Sequence, residues 1–270
     1  MNLYWVYGLP TWLFGALTVL AIAAVGLAGL YVTRGWVRRL HHVDHSHNDI
    51  VGFYLAAVTV LYGITVGLLA IATWTAYSDA QAKVDHEAIA PGGLYRDISA
   101  YPEPARAVMQ EDLREYTRQV IEIGWPMQRR GIVPNNASGT LNDFQAHFMS
   151  FEPMTERQKI LAAEAYKAFN DLVESRRGRL NTVTTEMPGP LWTLVIVGAV
   201  LSIAVSWFFH TASFSIHIWM TTLLSVLLGL IIFLIAVLDN PYRGSVSVTP
   251  EPLERVYEQI MTSAISNNSK

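Results

Sequence analysis

Residues 187–238 read MPGPLWTLVIVGAVLSIAVSWFFHTASFSIHIWMTTLLSVLLGLIIFLIAVL, a stretch that contains no Asp, Glu, Lys or Arg. Only its more polar centre, from His210 to His217, interrupts the apolar sequence. A bilayer core needs about 20 apolar residues for each spanning helix. The stretch is therefore long enough for two spans, which we place at 191–209 and 216–238.

Two further uncharged windows lie earlier in the chain. No Asp, Glu, Lys or Arg precedes Arg34, and none lies between Asp49 and Asp79. Each window fits one spanning helix, and we place these helices at 10–32 and 50–77. The pattern predicts an all-α integral membrane protein with four transmembrane helices and a helical extramembrane insert between helices two and three. The predicted domains are helices one and two with a short basic, His-rich loop (1–77), the insert (78–188), helices three and four (189–240) and a C-terminal tail (241–270).

The insert has the apolar periodicity of helices. Apolar residues recur at helical spacing between Glu103 and Met127, and Thr155–Gln158 has the form of a capping box that starts a long helix. We expect the second helix to continue past Asp79 and to stop at Pro91-Gly92-Gly93, because Pro and Gly interrupt helices. The insert is thus interpreted as an extension of the bundle and not as an independent enzyme domain.

The composition argues against several function classes. The formal net charge of −3 argues against a nucleic-acid partner, which normally requires a basic face. The chain has 0 Cys, which excludes disulfides, thiolate metal sites and a catalytic thiol. It also lacks a Gly-x-Ser-x-Gly motif, a His-Glu-x-x-His motif and a phosphate-binding loop. We therefore expect no enzyme activity and no cofactor.

A face of small residues on the second helix is the first candidate site. Gly52, Ala56, Thr59, Gly63 and Trp74 recur at spacings that keep them on one side of a helix. Such a face can line a pore or contact another subunit, whereas the alternative that we favour is ordinary helix packing. The face holds no ionisable group, which weakens the case for a proton pump or a charge-coupled transporter.

Charged residues near the ends of helices three and four form the second candidate site. They are Arg176, Arg177, Arg179, Asp239 and Arg243. In an oligomer, rings of such residues would set the potential of a vestibule and select ions. The alternative that we favour is salt bridges between neighbouring helices, with Glu87, Asp79 or Glu186 as partners.

Histidines crowd the loop between the first two helices. They are His41, His42, His45 and His47. Their nitrogens, beside Asp44 and Asp49, are ligands that suit Zn²⁺ or Ni²⁺. A metal site is the less favoured interpretation because all the ligands come from one short segment. The alternatives are an interfacial loop with its imidazoles at the headgroups and a pH-sensing role.

Short motifs follow one another in a specific order between residues 10 and 260. They are His47-Asn-Asp-Ile-Val-Gly-Phe-Tyr54, Val60-Leu-Tyr-Gly63, Trp74, Glu87, Leu94-Tyr-Arg96, Tyr116, Trp125-Pro126, Arg176-Arg-Gly-Arg-Leu180, Pro190-Leu-Trp192 and Leu238-Asp-Asn-Pro-Tyr-Arg-Gly244. Their order resembles that of the bacterial bestrophin-like membrane proteins, a family of unknown function. The resemblance implies a distant similarity to bestrophins, pentameric ion channels with four spans and an intracellular helical domain between spans two and three.

The resemblance implies an oligomeric ion channel or pore in the bacterial inner membrane, with anions favoured. The implied partners are the lipid bilayer, inorganic ions and further copies of this chain, five in all if it assembles like a bestrophin. The alternative is a membrane-anchored sensor or assembly protein whose insert binds a partner or ligand. Arg34, Arg38 and Arg39 place their loop in the cytoplasm by the positive-inside rule and the insert outside, which is the reverse of the bestrophin orientation.

Overall fold

The structure is a computed structural model that describes residues 8–40, 46–135, 137–211 and 213–262. Every regular element in these ranges is helical, as the sequence predicted. The chain divides into two compact units. The first unit comprises the described residues of 1–76, 186–240 and 244–246, and the second those of 77–185, 241–243 and 247–270.

Among the described residues, four helices are long and apolar enough to cross a membrane, which confirms the predicted set of four apolar helices. They are α1 (Thr11–Leu40), α2 (Ser46–Ile98), α7 (Gly189–Ser206) and α8 (Phe214–Leu238). Helices α7 and α8 begin within two residues of the predicted spans, because uncharged sequence marks their length directly. Helix α1 continues past the predicted end of its span to Leu40, and Arg34, Arg38 and Arg39 lie in its last turns. Positive charges near the C-terminus of a helix interact favourably with the helix dipole.

Helices α1 and α8 pack closely through small residues. A Cβ added at Gly26 would lie 2.3 Å from the Ser225 hydroxyl oxygen. A Cβ added at Gly229 would lie 2.9 Å from the Cα of Val19, so the two backbones approach each other directly. Lipid chains are as apolar as leucine, and such close van der Waals packing is a main source of attraction between membrane helices.

Tyr62 of α2 packs against α7 in the first unit. Its ring fills the space beside Gly198, where an added Cβ would lie 2.4 Å from the ring. Its hydroxyl donates a hydrogen bond of 3.0 Å to the carbonyl of Val195. This arrangement satisfies the polar end of a buried tyrosine without a second side chain.

Helix α2 does not stop at Pro91-Gly92-Gly93, so the prediction of a helix end there is wrong. It continues to Ile98 with Pro91 inside the helix. A Cβ added at Gly92 would lie 3.0 Å from a methyl group of Val256 and 3.1 Å from the terminal methyl of Ile260. The C-terminal segment thus covers this part of α2, and burial against it offsets the hydrogen bond that proline removes.

The second unit surrounds the C-terminal part of α2 with shorter helices. They are α3 (Ala105–Gln119), a π-helical turn at 120–124, α4 (Trp125–Gln128), α5 (Ala137–Ser150), α6 (Glu156–Thr182), α9 (Glu251–Val256) and a second π-helical turn at 257–262. Its core includes fully buried Leu94, Met109, Leu113, Phe144 and Leu172. The unit therefore has an apolar centre of its own.

Helix α6 begins with the predicted capping box. The Thr155 hydroxyl accepts a hydrogen bond of 3.2 Å from the backbone N–H of Gln158. The Gln158 side chain accepts one of 3.1 Å from the backbone N–H of Thr155. The two bonds satisfy donors that a helix N-terminus otherwise leaves free, and they confirm this start signal.

Candidate functional site

The small-residue face of α2 is largely exposed in the part of the chain that the structure describes. Ala56, Gly63 and Trp74 are exposed, and Gly52 and Thr59 are partly exposed. A Cβ added at Gly52 or Gly63 meets no atom within 4 Å. In the apolar window of α2 only 11% of the residues are buried, against 44% in the window of α8. This face is therefore available for lipid, for another subunit or for a pore.

Hydroxyl groups on the same part of α2 are satisfied internally. Thr59, Thr65 and Thr75 each donate to the carbonyl four residues earlier, at 2.7, 2.9 and 2.9 Å. No Asp, Glu, Lys or Arg stands between Asp49 and Asp79. A pore lined by this part of α2 would consequently be uncharged, and its conductance would depend on width and wetting.

The second unit contains a buried ion pair. Arg179 of α6 is 1% exposed and Glu87 of α2 is 0% exposed. The Arg179 Nε donates to one carboxylate oxygen of Glu87, and its Nη2 donates to the other at 3.0 Å. The Tyr116 hydroxyl also donates to Glu87, at 2.7 Å. This bidentate geometry with a third donor is the kind that makes a buried carboxylate tolerable.

Two aromatic residues border the ion pair. The guanidinium carbon of Arg179 lies 5.8 Å from the ring centroid of Trp125, which meets the Tyr242 ring edge-on at 5.7 Å. The Thr182 hydroxyl donates to the carbonyl of Arg179 at 2.6 Å and accepts from the Tyr242 hydroxyl at 2.8 Å. The cluster thus joins α2, α3, α4 and α6 to the segment after α8.

Burial and charge shift the pKa values of three residues of this cluster. Burial raises the pKa of Tyr242 to about 12. Burial also raises the pKa of Tyr116 well above its ordinary value, and the charge of Glu87 adds to the effect. Burial alone would lower the pKa of Arg179, but the attraction and hydrogen bonds of Glu87 raise it above the ordinary value. At neutral pH the two tyrosines are therefore neutral hydrogen-bond donors and Arg179 is positively charged.

The three other arginines of the predicted vestibule have different surroundings. Arg176 is partly buried, and its Nη2 donates to the Ser138 hydroxyl at 2.9 Å. Arg243 donates to the carbonyl of Arg130 at 3.2 Å. Arg177 is exposed on α6. Among the described arginines of this set, Arg177 is the one that is classed as exposed. Arg179 instead makes the salt bridge with Glu87 that the sequence analysis gave as the alternative to a vestibule charge.

Asp239 lies directly after α8 and binds the start of α7. Its carboxylate accepts a hydrogen bond of 2.6 Å from the backbone N–H of Met187 and one of 3.0 Å from the indole of Trp192. Burial raises the pKa of Asp239, although the two hydrogen bonds oppose that shift. The residue joins the end of one helix to the beginning of another, next to the positive end of the α7 dipole.

The described part of the histidine loop holds α2 in place. His41, His42 and His45 lie outside the described residues. The Nε2 of His47 donates to the carbonyl of Phe208 at 3.0 Å. The described residues contain no group of three His, Cys, Asp or Glu side chains that could hold a metal ion.

Asn48, beside His47, makes a reciprocal pair with His210. Its amide donates to the carbonyl of His210 at 2.7 Å, and its carbonyl accepts from the His210 backbone N–H at 2.9 Å. The first turn of α2 is thereby attached to the connection between α7 and α8.

Sequence reasoning did not identify Tyr116, Trp125 and Tyr242 as members of one cluster with Glu87 and Arg179. Tyrosine and tryptophan in a helical insert are ordinary core residues, and no spacing rule links positions so far apart. The available signal was that all five occur in the ordered motifs.

A model of the bestrophin-like domain matches residues 20–253. Among curated proteins no significant match was found. A variant of the bacterial bestrophin homologue from Klebsiella pneumoniae superposes with a TM-score of 0.66 and 12% identity, covering 93% of this chain and 99% of that one.

Two further structures superpose equally well. The Klebsiella pneumoniae homologue solved by zinc-based phasing has a TM-score of 0.65 and 12% identity, covering 92% of this chain and 98% of that one. A structure described as a membrane protein has a TM-score of 0.66 and 12% identity, covering 93% and 97%. These TM-scores show a shared fold. Because the family model matches most of the sequence, this chain belongs to the bestrophin-like family of membrane proteins.

Proposed function

We propose that this chain assembles with further copies of itself into an ion channel in the bacterial inner membrane, and that it prefers anions. The exposed small-residue face of α2 carries the proposal. An apolar surface alone requires no protein partner in a bilayer, because lipid covers it. Small residues at helical spacing are different, since they let another helix approach closely.

The glycines of the membrane helices differ in whether an added Cβ would meet another part of the chain, and this difference supports the assembly. A Cβ added at Gly26, Gly29, Gly198 or Gly229 would lie within 3.0 Å of another atom, so these glycines serve contacts inside the chain. Gly52, Gly63 and Gly67, all on α2, have nothing within 4 Å of an added Cβ. Gly35 of α1 and Gly189 of α7 are also open, but they lie near the ends of their helices. Helix α2 has open glycines along its apolar window, as expected for a helix at a subunit contact or around a central pore.

Charge at the ends of the pore would set its selectivity, because the apolar part of α2 carries none. Arg177 supplies an exposed positive charge on α6 of the second unit. Repeated by the symmetry of an oligomer, such a charge raises the local concentration of anions in a vestibule. The preference would be moderate and would weaken at high ionic strength, since solvent screens exposed charges.

Planar-bilayer recording of the purified protein in a potassium chloride gradient tests the proposal. We expect ion currents whose reversal potential lies between zero and the equilibrium potential of chloride. Arg177→Glu should move the reversal potential toward that of potassium. Arg157→Glu is the matched control, because Arg157 is exposed on the same helix and the substitution makes the same charge change.

Several outcomes would contradict parts of the proposal separately. Silence across pH, calcium concentration and anion type contradicts a channel. Currents that prefer potassium in the wild-type protein contradict the anion preference. Equal shifts in the Arg177→Glu and Arg157→Glu variants contradict the specific role of Arg177. A protein mass of 30.1 kDa in detergent, which is that of a single chain, contradicts the assembly.

A further inference from the structure

A small cavity in the first unit lies between the C-terminal part of α1 and the connection from α7 to α8. Its polar lining comes from Arg34, His210, Thr211 and His217, beside the aromatic ring of Phe214. Its volume is about 20 Å³. A cavity holds a water molecule when its volume exceeds about 10–15 Å³, so this one has room for a single water or one monatomic ion.

The ionisable side chains that line the cavity are all basic. They are Arg34 from α1, His210 from the connection and His217 from α8, and no carboxylate lines the cavity. Among the described residues, no Asp or Glu oxygen makes an ion pair with Arg34. Arginine is always protonated in proteins. The cavity therefore contains a permanent positive charge without a carboxylate partner in the described chain.

The geometry around Arg34 leaves its donors available. Its guanidinium carbon lies 3.6 Å from the centroid of the Phe214 ring, which covers one flat side of the group. A ring in that position stabilises the cation but accepts none of the N–H groups that point outward in the guanidinium plane. These donors are the chemistry that recognises an anion.

The walls of the cavity are held in place before any ligand binds. The Nε2 of His217, which is 7% exposed, donates to the carbonyl of Ser206 at 2.9 Å. The indole of Trp207 donates to the carbonyl of Gly26 at 3.0 Å. A preformed site loses little conformational freedom on binding, which favours affinity for a small ligand.

We propose that this cavity binds one small anionic group, with the Arg34 guanidinium as its principal donor. Two sources have the required chemistry: a halide ion from solution and the phosphate of a lipid whose headgroup reaches the cavity mouth. The small volume can enclose a monatomic ion completely, whereas only one oxygen of a phosphate group fits inside it. The site is independent of whether the protein conducts ions, so it goes beyond the function proposed above.

Bromide is the probe for the free anion. Crystals of the full chain grown in sodium bromide should show an anomalous peak beside Arg34, and crystals grown in sodium gluconate should not. In detergent, bromide should raise the melting temperature relative to gluconate at the same ionic strength, because a ligand that binds the folded state stabilises it. Arg34→Gln should weaken the apparent affinity about tenfold or more, whereas Arg157→Gln should leave it unchanged.

Native mass spectrometry is the probe for the lipid source. Wild-type protein in gluconate with added phosphatidylglycerol should retain lipid that Arg34→Gln loses, if phosphate is the ligand. Arg34→Lys should keep part of the binding, since it keeps the charge but loses the planar donors. If Arg34→Gln fails to fold, Arg34→Lys and the bromide peak in wild-type crystals still test the site.

The two measurements together decide the proposal. A bromide peak without an Arg34-dependent lipid identifies the free anion, and the reverse result identifies the lipid phosphate. The absence of both a wild-type bromide peak and an Arg34-dependent lipid would overturn the site. So would a peak that persists unchanged in Arg34→Gln.

Discussion

Substitution of Glu87 by Gln removes the negative charge from the buried ion pair of the second unit. Arg179 would remain 1% exposed without a carboxylate to compensate its charge. The Gln carbonyl could still accept from Tyr116, but its amide would place donors against the donors of Arg179. Breaking a buried pair by removing one partner costs about 3–5 kcal/mol of unfolding free energy.

That magnitude corresponds to a measurable loss of thermal stability. For domains of 150–250 residues, each kcal/mol shifts the melting temperature by roughly 2–4 °C, so we expect a decrease of roughly 6–20 °C. Circular dichroism of the full chain in detergent measures it. Lys159→Met is the control, since its pair with Glu156 is exposed and should leave the melting temperature unchanged.

The double variant Glu87→Gln with Arg179→Met makes the reasoning specific. Much of the cost of Glu87→Gln comes from the unpaired cation, and Arg179→Met removes that cation. The double variant should therefore lose less stability than the sum of the two single variants. A Glu87→Gln protein that melts within about 2 °C of the wild type, or strictly additive losses, would refute the assigned role of the pair.

Two other substitutions test contacts in the first unit. Gly29→Ala should lower the melting temperature, because the added Cβ would lie 2.0 Å from the indole of Trp207. Its control is Gly63→Ala, which meets no atom within 4 Å and should leave the stability of the single chain unchanged. Asp239→Asn should cost about 1–3 kcal/mol of unfolding free energy, because an amide offers one acceptor oxygen to the donors of Met187 and Trp192. For Asp239→Asn, an unchanged denaturation midpoint would show that water replaces the lost bond.

The spans could be predicted from the sequence because their signal is the absence of charge. A charged side chain in the bilayer core is costly, so each uncharged window bounds a helix directly. The ends of the helices follow a weaker rule. Helix α1 extends beyond the expected Val32 to Leu40, since a helix does not need to end where the hydrocarbon ends.

The error at Pro91 has a different cause. Local propensity favours a helix end at this position, and the prediction used local propensity alone. In the structure Gly92 contacts Val256 and Ile260, which lie far away in the sequence. Tertiary burial decided the conformation, and no local sequence signal marks that contact.

The pairing of Arg179 was only partly predictable. A salt bridge with Glu87 was among the alternatives, but Asp79 and Glu186 satisfied the same rule of opposite charge on neighbouring helices. The choice depends on helix packing that joins positions 92 residues apart. The cavity at Arg34 was not predictable, because its walls come from two segments far apart in the sequence, residues 30–37 and 207–217.

Helix α2 carries two features that respond to different tests. It bears the open small-residue face around Gly63 and, further along, Glu87 in the buried ion pair of the second unit. Glu87→Gln leaves a buried cation without its partner, so it should lower the stability of the chain. Gly63→Ala meets no atom of the described chain within 4 Å, so any effect on the mass of the protein in detergent would report on the proposed assembly. The two substitutions therefore separate the folding of the second unit from the assembly that we propose for the face around Gly63.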